Sequence, residues 1–358
     1  MGPIYPIYQR ASDGSVVLSS DGSPMYDMGG GSSIFAWAGH TRPYAPNSNL
    51  VVTLPLDYRG NSRNQLSGRF SAEFSFLKDF TFKTSVASDI TNTYYTTYQN
   101  NKFGDAESVK GRSTKEYYKI FSYTFLQQLN YNKIVGDHNF AVLLGHENYK
   151  LEANDLYATR TGYIVPSNEL VNGGVAEGSS STVDNYTMES ILSQVTYSYL
   201  NRYFVSASYR YDGSSRFSSD SRWGGFWSVG GSWRAKQESF LADVNWLDDL
   251  KVKVSYGQQG NDNVGTYYAY QGLFDVNDRN NNNLNGAWYS QLANNELSWE
   301  KNANLNAGID FAIFGKVRGS VEYFNRESSN LLFAVPLPES TGINSKWENI
   351  GSMYNRGF

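Results

Sequence analysis

The chain has 358 residues, a net charge of −4, 33 glycines, 9 prolines and no cysteine. The lack of cysteine excludes disulfide scaffolds, thiolate metal sites and cysteine nucleophiles, and the balanced charge predicts no nucleic-acid partner. No apolar run approaches the roughly 20 residues that a membrane-spanning helix needs, which excludes a helical membrane protein.

Residues 1–65 are predicted to form a loop, because Asp13-Gly14 and Asp21-Gly22 are turn signals and Gly29–Gly31 is a flexible run. Segments with the alternation of β-strands follow this loop. We place these strands near residues 66–77, 79–89, 116–132, 138–150, 189–200, 202–213, 222–234, 250–258, 302–312 and 316–326.

The segment 202–213 shows the alternation clearly. Tyr203, Val205 and Ala207 fall on one side of a strand, and Ser206, Ser208 and Arg210 fall on the other, because successive side chains point to opposite faces. One face of the predicted sheet is therefore apolar and rich in tyrosine, and the other is polar. This pattern is typical of an outer-membrane β-barrel, which has lipid outside and water or a plug inside.

The connectors between the predicted strands alternate in length. Residues 77–79, 133–137, 200–202 and 314–316 are tight, whereas 90–115, 151–188, 259–301 and 327–346 are long. Short periplasmic turns and longer external loops give outer-membrane barrels this rhythm. The connector 235–249 is intermediate, and its apolar spacing indicates a helical turn.

A soluble β-sandwich also alternates apolar and polar residues, so it is the main structural alternative. The predicted strands are longer than the usual five or six residues, and tyrosine and tryptophan crowd the apolar face near strand ends. We therefore predict an all-β protein, an antiparallel transmembrane β-barrel that is partial, with about ten or eleven strands.

No constellation of residues indicates catalysis or a metal site. His138 and His146 are eight residues apart on one predicted strand, too far to share a metal, and His40 stands alone. The Asp275–Asn280 stretch resembles a calcium loop, but Arg279 takes a ligand position. We expect a solvated loop there. Asp248-Asp249 is expected on a periplasmic turn rather than in acid–base work.

Glycine pairs interrupt a strand rich in tryptophan, at Gly224-Gly225 and Gly230-Gly231. Glycine permits curvature or a close approach beside bulky rings. No phosphate-binding spacing accompanies these pairs. A steric role is therefore the favoured interpretation.

Aromatic residues with amide neighbours gather in the predicted external loops. Aromatic faces stack on sugar rings, so these residues are candidates for substrate binding; equally, tyrosines near strand ends anchor at the lipid interface. The two alternatives stay open for residues 267–270, and binding is favoured for the mid-loop pair Trp288 and Tyr289. The candidate binding residues are Tyr94, Tyr95, Tyr267, Tyr268, Tyr270, Trp288 and Tyr289.

Several blocks carry a more specific signal. Residues 203–234 read YFVSASYRYDGSSRFSSDSRWGGFWSVGGSWR, with Asp212–Phe217 at the centre. Further blocks are WLDDLK at 246–251, LSWEK at 297–301, VPLPESTG at 335–342, NIGS at 349–352 and NRGF at 355–358. Together they resemble the SusC/RagA family of TonB-linked outer-membrane transporters over nearly the whole chain.

The resemblance implies a larger protein with an N-terminal domain, a TonB-contacting segment, a plug and a 22-stranded barrel; barrels of that size have a plugged lumen. The first three parts are not visible in this sequence. We therefore expect a mid-barrel fragment, in which residues 1–65 are an external loop region and 66–358 form part of the barrel. Its next strand is expected after residue 358.

The resemblance also implies a function, the active import of a nutrient oligomer, glycan or peptide, across the Gram-negative outer membrane of the Bacteroidetes type. The expected partners are a SusD-like surface lipoprotein, TonB through the N-terminal part, membrane lipid and the substrate. No enzymatic activity and no cofactor are implied. Polar residues expected to face the plug or solute are Arg69, Glu73, Lys83, Arg210, Lys251, Lys253, Asp310, Arg318 and Glu322.

Two other function classes remain. A soluble β-rich carbohydrate-binding module would stay monomeric without detergent. A β-rich glycoside hydrolase would need two carboxylates about 5 to 9.5 Å apart, and nothing in the sequence marks such a pair.

Overall fold

The computed structural model describes residues 6–29, 48–276, 280–281 and 284–358. Within these ranges no helix is long and apolar enough to cross a membrane. The two α-helices, α1 (Leu50–Thr53) and α2 (Ser239–Ala242), are single turns, and 3-10 turns lie at Leu170–Asn172, Ala235–Gln237 and Glu339–Thr341.

Seventeen strands account for most of the described chain. The long ones are β1 (Tyr58–Phe76), β2 (Phe80–Gln99), β3 (Arg112–Val135), β4 (His138–Tyr163), β5 (Gly173–Tyr199), β6 (Tyr203–Ser214), β7 (Trp223–Arg234), β8 (Leu247–Asn261), β13 (Glu300–Ile313) and β14 (Val317–Ser329). The short ones are β9 (Leu273–Asp275), β10 (Asn280–Asn281), β11 (Leu284–Asn285), β12 (Trp288–Gln291), β15 (Leu332–Pro336), β16 (Ser345–Asn349) and β17 (Ser352–Gly357).

One antiparallel sheet of 11 strands has the order β1-β2-β3-β4-β5-β6-β7-β8-β13-β14-β17. Neighbours along the sheet are neighbours along the chain, apart from the small hairpins inserted in the connectors after β8 and β14. The ten predicted strands are all present. The eleventh is β17, which pairs with β14 from Ser352 onwards, so the next strand begins before residue 358 rather than after it.

The sheet has the two faces that the sequence predicts. Val205 pairs with Tyr197 on β5 and with Gly231 on β7, so the apolar positions of neighbouring strands are in register. We call this side the apolar face. Its side chains are not covered by other described residues: Phe70 is 72% exposed, Val205 50% and Val321 59%.

Tight turns join the strands at one end of the sheet. Leu77 and Lys78 adopt positive φ between β1 and β2, and Leu200 and Asn201 do so between β5 and β6. Such left-handed pairs match the twist of a two-residue hairpin. The connector between β7 and β8 contains α2, as the predicted helical turn requires.

Several boundaries differ from the sequence prediction. The first strand begins at Tyr58, not near 66, and the long connectors predicted at 90–115 and 151–188 shrink to 100–111 and 164–172 because β2, β4 and β5 continue through them. The added part 59–65 is polar on both faces. A strand that has left an apolar environment has no reason to alternate, so the pattern does not reveal it.

The compact apolar cluster of the described chain combines residues of the connectors with Phe226 of β7. Its buried members are Phe217, Phe226, Val264, Ala269, Leu297 and Trp299. Gly224 borders this cluster: a Cβ there would stand 2.8 Å from Trp299 and 2.7 Å from Phe226. The steric interpretation of this glycine is confirmed.

The chain divides into two compact units. The first comprises residues 1–66, 89–121 and 152–184, and the second comprises 67–88, 122–151 and 185–358. The second unit contains the apolar cluster and all of β6 to β17. The described N-terminal residues of the first unit form isolated bridges, such as Tyr8 with Tyr26.

Candidate functional site

A polar cluster of the second unit surrounds Asp262, at the start of the connector between β8 and β13. Tyr186 on β5 and Ser214 at the end of β6 both donate hydrogen bonds to Asp262 Oδ2, at 2.8 and 2.6 Å. Arg216 Nη1 lies 3.7 Å from Asp262 Oδ1 and donates to the Asp262 carbonyl oxygen at 3.2 Å. Three separate chain segments therefore meet at one carboxylate.

The Arg216 guanidinium lies over two neighbouring tyrosine rings, whose centroids are 5.8 Å apart. Its Cζ lies 4.8 Å from the centroid of Tyr186 and 5.1 Å from that of Tyr267. A guanidinium stacks well on aromatic faces, and partial removal from water strengthens the attraction. We call Tyr186, Ser214, Arg216, Asp262 and Tyr267 the arginine clasp.

The predicted candidates Tyr267, Tyr268 and Tyr270 each have partners within the second unit. Tyr267 is one of its rings, the Tyr268 hydroxyl accepts a hydrogen bond from the Asn185 backbone N–H at 3.0 Å, and Tyr270 packs against the apolar cluster. All three therefore make structural contacts, Tyr267 and Tyr268 with residues outside their own connector.

Trp288 and Tyr289 lie on β12, which pairs with β9 as a hairpin. The Tyr289 ring stands 4.1 Å from Phe274, centroid to centroid, and the two candidates remain 42% and 50% exposed. Gln291 ends the same strand, and its Nε2 donates to the carbonyl oxygens of Tyr268 and Gln271, both at 2.8 Å. The hairpin is thereby tied to the segment that follows the clasp.

Tyr94 and Tyr95 were expected in an external loop, but both lie within β2, because that strand continues to Gln99. The Tyr94 ring packs 4.8 Å from Tyr117 on β3. Adjacent strand residues point to opposite faces, so these two tyrosines do not act together. The structure does not unite them into one site.

The polar face carries two ion-pair clusters among the residues predicted to face the plug or solute. Lys253 Nζ lies 3.0 Å from Asp310 and 3.2 Å from Glu322. Arg210 contacts Asp212 at 2.6 Å and Glu147 at 3.1 Å. Each cation therefore joins carboxylates of two different strands, β13 and β14 for Lys253 and β4 and β6 for Arg210, on the side opposite to the apolar residues.

The histidines and acidic pairs make no metal site in the described chain. His138 contacts the Tyr197 hydroxyl at 2.7 Å, and His146 lies between Gln127 and Glu189. Asp248 accepts a hydrogen bond from the Gly315 N–H of the nearby tight turn at 2.6 Å. His40 and residues 277–279 of the calcium-like stretch lie outside the described residues.

At the tight-turn end, Glu238 accepts hydrogen bonds from the Tyr203 hydroxyl at 2.6 Å and the Trp233 indole at 3.0 Å. These donors, the tyrosine first, hold the pKa of the Glu238 carboxyl below its ordinary value. The contacts fasten the connector before α2 to β6 and β7.

Sequence reasoning missed the roles of Arg216, Asp262 and Gln291. Arg216 stands in the block 212–217 that supported the family resemblance, but its ring partners come from segments 30 or more positions away in the chain. Gln291 carries no sequence signal, because its partners are backbone carbonyl groups.

Comparison with known proteins gives consistent matches. The family model described as TonB dependent receptor-like, beta-barrel, matches residues 8–358. The TonB-dependent receptor SusC of Bacteroides thetaiotaomicron is 31% identical over 337 residues, 90% of this chain and 33% of that protein. The TonB-dependent receptor P3 of Formosa agariphila is 29% identical over 324 residues, 88% of this chain and 31% of that protein.

Among solved structures, that of the RagAB peptide transporter aligns with a TM-score of 0.80 and 27% identity, over 94% of this chain and 37% of the matched chain. The chain spans about a third of the length of the curated relatives that it matches. The resemblance to SusC/RagA and the prediction of a partial antiparallel barrel are both confirmed. The chain belongs to the TonB dependent receptor-like β-barrel family.

Proposed function

We propose that this chain forms part of the wall of an outer-membrane transporter that imports a nutrient oligomer with energy delivered by TonB. The observation that carries the proposal is the sheet itself, in which the apolar face is exposed while the opposite face holds ion-pair clusters. Hydrocarbon on one side and an aqueous bore on the other satisfy both faces.

The proposed partners follow from the family. The outer-membrane lipid covers the apolar face, TonB acts through the N-terminal part of the full-length transporter, and a SusD-like surface lipoprotein closes over the long-connector end. The similarity to SusC and to the RagAB peptide transporter supports this assignment. The proposed role is transport without catalysis and without a resident cofactor.

Trp288 and Tyr289 are the proposed substrate contacts of this chain. They are exposed on the hairpin of β9 and β12 within a long connector, whereas Tyr267, Tyr268 and Tyr270 are engaged in structural contacts. An exposed aromatic ring with a polar tip can stack on a sugar ring or on a peptide side chain. The uptake test below decides whether the substrate is a glycan or a peptide.

The function is tested in the source bacterium by deleting the chromosomal gene that carries this sequence. Uptake of two radiolabelled probes is measured, an unbranched hexasaccharide of glucose and a mixed-sequence hexapeptide, each with and without a protonophore. We expect uptake of one probe to fall to the level that the protonophore gives. Unchanged uptake of both probes would contradict this import function for these substrate classes.

The proposed contacts are tested separately. Trp288→Ala and Tyr289→Ala should each raise the half-saturating concentration of the imported probe about fivefold, corresponding to roughly 1 kcal/mol per lost aromatic contact. The matched control is Phe240→Ala, an exposed aromatic residue on α2 at the opposite end of the strands. Equal shifts in all three variants would contradict the assignment of Trp288 and Tyr289.

A soluble carbohydrate-binding module is the alternative. It would require the apolar face to be compatible with water, yet large side chains such as Phe70 and Val321 stand on that face uncovered by other described residues. Exposed apolar patches of this extent mark a lipid or protein contact. The observation favours the transporter.

A further inference from the structure

The arginine clasp makes contacts that are not needed to hold the strands of the barrel together. Its residues join the connector after β8 to β5 and to the end of β6, beyond the region where β6 pairs its apolar positions. The sheet is already held by continuous backbone pairing between β5, β6, β7 and β8. The clasp therefore adds order to the connector and not to the wall.

A continuous set of contacts leads from the clasp to the exposed hairpin. Tyr267 stacks on Arg216, and the next residue, Tyr268, is held by the Asn185 N–H. The carbonyl groups of Tyr268 and Gln271 then accept hydrogen bonds from Gln291, which ends the strand carrying Trp288 and Tyr289. Coupling through packed and hydrogen-bonded neighbours of this kind needs an experimental test.

We propose that Arg216 is a positioning residue for substrate recognition: by clasping Asp262 and Tyr267 it fixes where the hairpin presents Trp288 and Tyr289. The proposal rests on the proposed import function. Pre-organised contacts raise affinity because less order has to be imposed when the ligand binds. Loss of the clasp should weaken recognition and leave the wall, and thus the maximal transport rate, nearly intact.

The choice of arginine follows from the geometry. The planar guanidinium lies over both rings, and its Nη1 donates to the Asp262 carbonyl oxygen and, at 3.1 Å, to the Asn263 side chain. Lysine keeps the charge but has no planar face, so it replaces only part of the interaction. Arg216→Lys should therefore lie between the wild type and Arg216→Gln in the rate of proteolytic cleavage of the connector and in the half-saturating concentration of the imported probe.

The test uses the full-length protein in the source bacterium with chromosomal substitutions. Four values are compared. They are the abundance of the protein in the outer membrane, the rate of chymotrypsin cleavage after Tyr270 on intact cells, and the half-saturating concentration and maximal uptake of the imported probe. For Arg216→Gln we expect abundance and maximal uptake within about twofold of the wild type, cleavage at least fivefold faster, and a half-saturating concentration raised about tenfold. Arg326→Gln is the matched control, since Arg326 stacks on a single ring, Phe324, outside the clasp; it should leave all four values unchanged.

Wild-type cleavage and half-saturation in Arg216→Gln would overturn the proposal, as would a fall in maximal uptake alone. If that variant does not reach the membrane, Tyr267→Leu is used, because it removes one ring and leaves the Arg216–Asp262 pair. It should give the same shifts at a smaller size. Wild-type values in Tyr267→Leu would overturn the proposal. Absence of uptake of either probe in the wild type contradicts the import function instead, while the cleavage comparison still tests the clasp.

Discussion

Gly224 on β7 faces a site with no room for a side chain. A Cβ there would approach Phe226 Cζ at 2.7 Å and Trp299 Cδ1 at 2.8 Å, and both rings are buried in the apolar cluster. We expect Gly224→Ala to destabilise the protein by about 1 to 3 kcal/mol through overpacking. The measurement is the temperature at which the detergent-solubilised protein loses its compact form on gels.

The matched control for this change is Gly68→Ala on β1, where a Cβ would meet nothing within 4 Å. This variant should match the wild type or be slightly more stable, because alanine restricts the unfolded chain more than glycine does. Equal losses at both positions would show that the close approach around Gly224 is not what makes that residue glycine.

Glu238 gives a prediction about pH. Its pKa is lowered in the folded protein, so the carboxylate contributes stability above its ordinary pKa of 4.5, and that contribution is lost as the pH falls through the folded-state value. Wild type should therefore be more stable than Glu238→Gln at about pH 7, and the difference should vanish well below the ordinary pKa. Thermal unfolding at several pH values measures it; a pH-independent difference would contradict the assignment.

For single residues, the sequence shows the type of side chain but not which neighbours bury it. The aromatic character of Tyr267 and Trp288 is visible in the sequence, yet one ring is stacked on Arg216 and the other stands 42% exposed. The partner that covers Tyr267 comes from a distant segment. A single sequence carries no information about that pairing, so the two residues could not be separated in advance.

The tight turn between β5 and β6 places two residues with side chains in the left-handed region, Leu200 at φ 52 and Asn201 at φ 54. Leucine is disfavoured there, whereas asparagine is tolerated and is preferred at the first position of such hairpins. Leu200→Asn should stabilise the protein by about 0.5 to 1 kcal/mol. The β-branched variant Leu200→Val should destabilise it, and unfolding in denaturant ranks the three proteins.

The two faces of β6 predict different effects when arginine is placed on each of them. Tyr203 and Tyr211, at the two ends of its apolar row, lie beside Trp233 and Trp223, and Ala207 lies midway between them. Arginine at Ala207 should destabilise the assembled protein by roughly 2 to 4 kcal/mol, because its charge would enter hydrocarbon. The neighbouring change Ser208→Arg faces the polar side and should cost less; equal losses of assembled protein would contradict the face assignment.

Strand positions were predictable where one face is apolar and not elsewhere. The start of β6 at Tyr203 and the whole of β14 agree closely with the predicted ranges. In contrast, residues 59–65 of β1 and 90–99 of β2 were missed, since strand pairing beyond the apolar band is set by backbone hydrogen bonds and not by alternation. Short hairpins such as β15 with β16 were missed for the same reason.

For the whole molecule, the unusual property is the placement of apolar side chains. The buried cluster consists of connector residues and Phe226 of β7, while the wide sheet keeps its apolar face uncovered by other described residues. A water-soluble domain normally packs such a face on a second layer. The arrangement is stable if lipid acts as that layer. The fold therefore requires a membrane around the apolar face.

The architecture was predictable at this scale because period-two alternation and connector lengths repeat along the chain, so local errors do not change the conclusion. The candidate site was not predictable to the same degree. The arginine clasp needs β5, the end of β6 and the connector after β8 in one place, and that meeting depends on the folded sheet.

The most direct test of the central claim uses the absence of cysteine in this chain. Cysteines are introduced singly at 204–210 in the native protein, and each is labelled with a fluorophore while the protein is in the membrane. Quenching of the fluorescence by a nitroxide attached to lipid tails is then compared with quenching by a water-soluble nitroxide. Labels at Val205, Ala207 and Tyr209 should be quenched by the lipid nitroxide, and those at Ser206, Ser208 and Arg210 by the soluble one. Equal quenching at neighbouring positions, or lipid quenching on the serine side, would contradict the account.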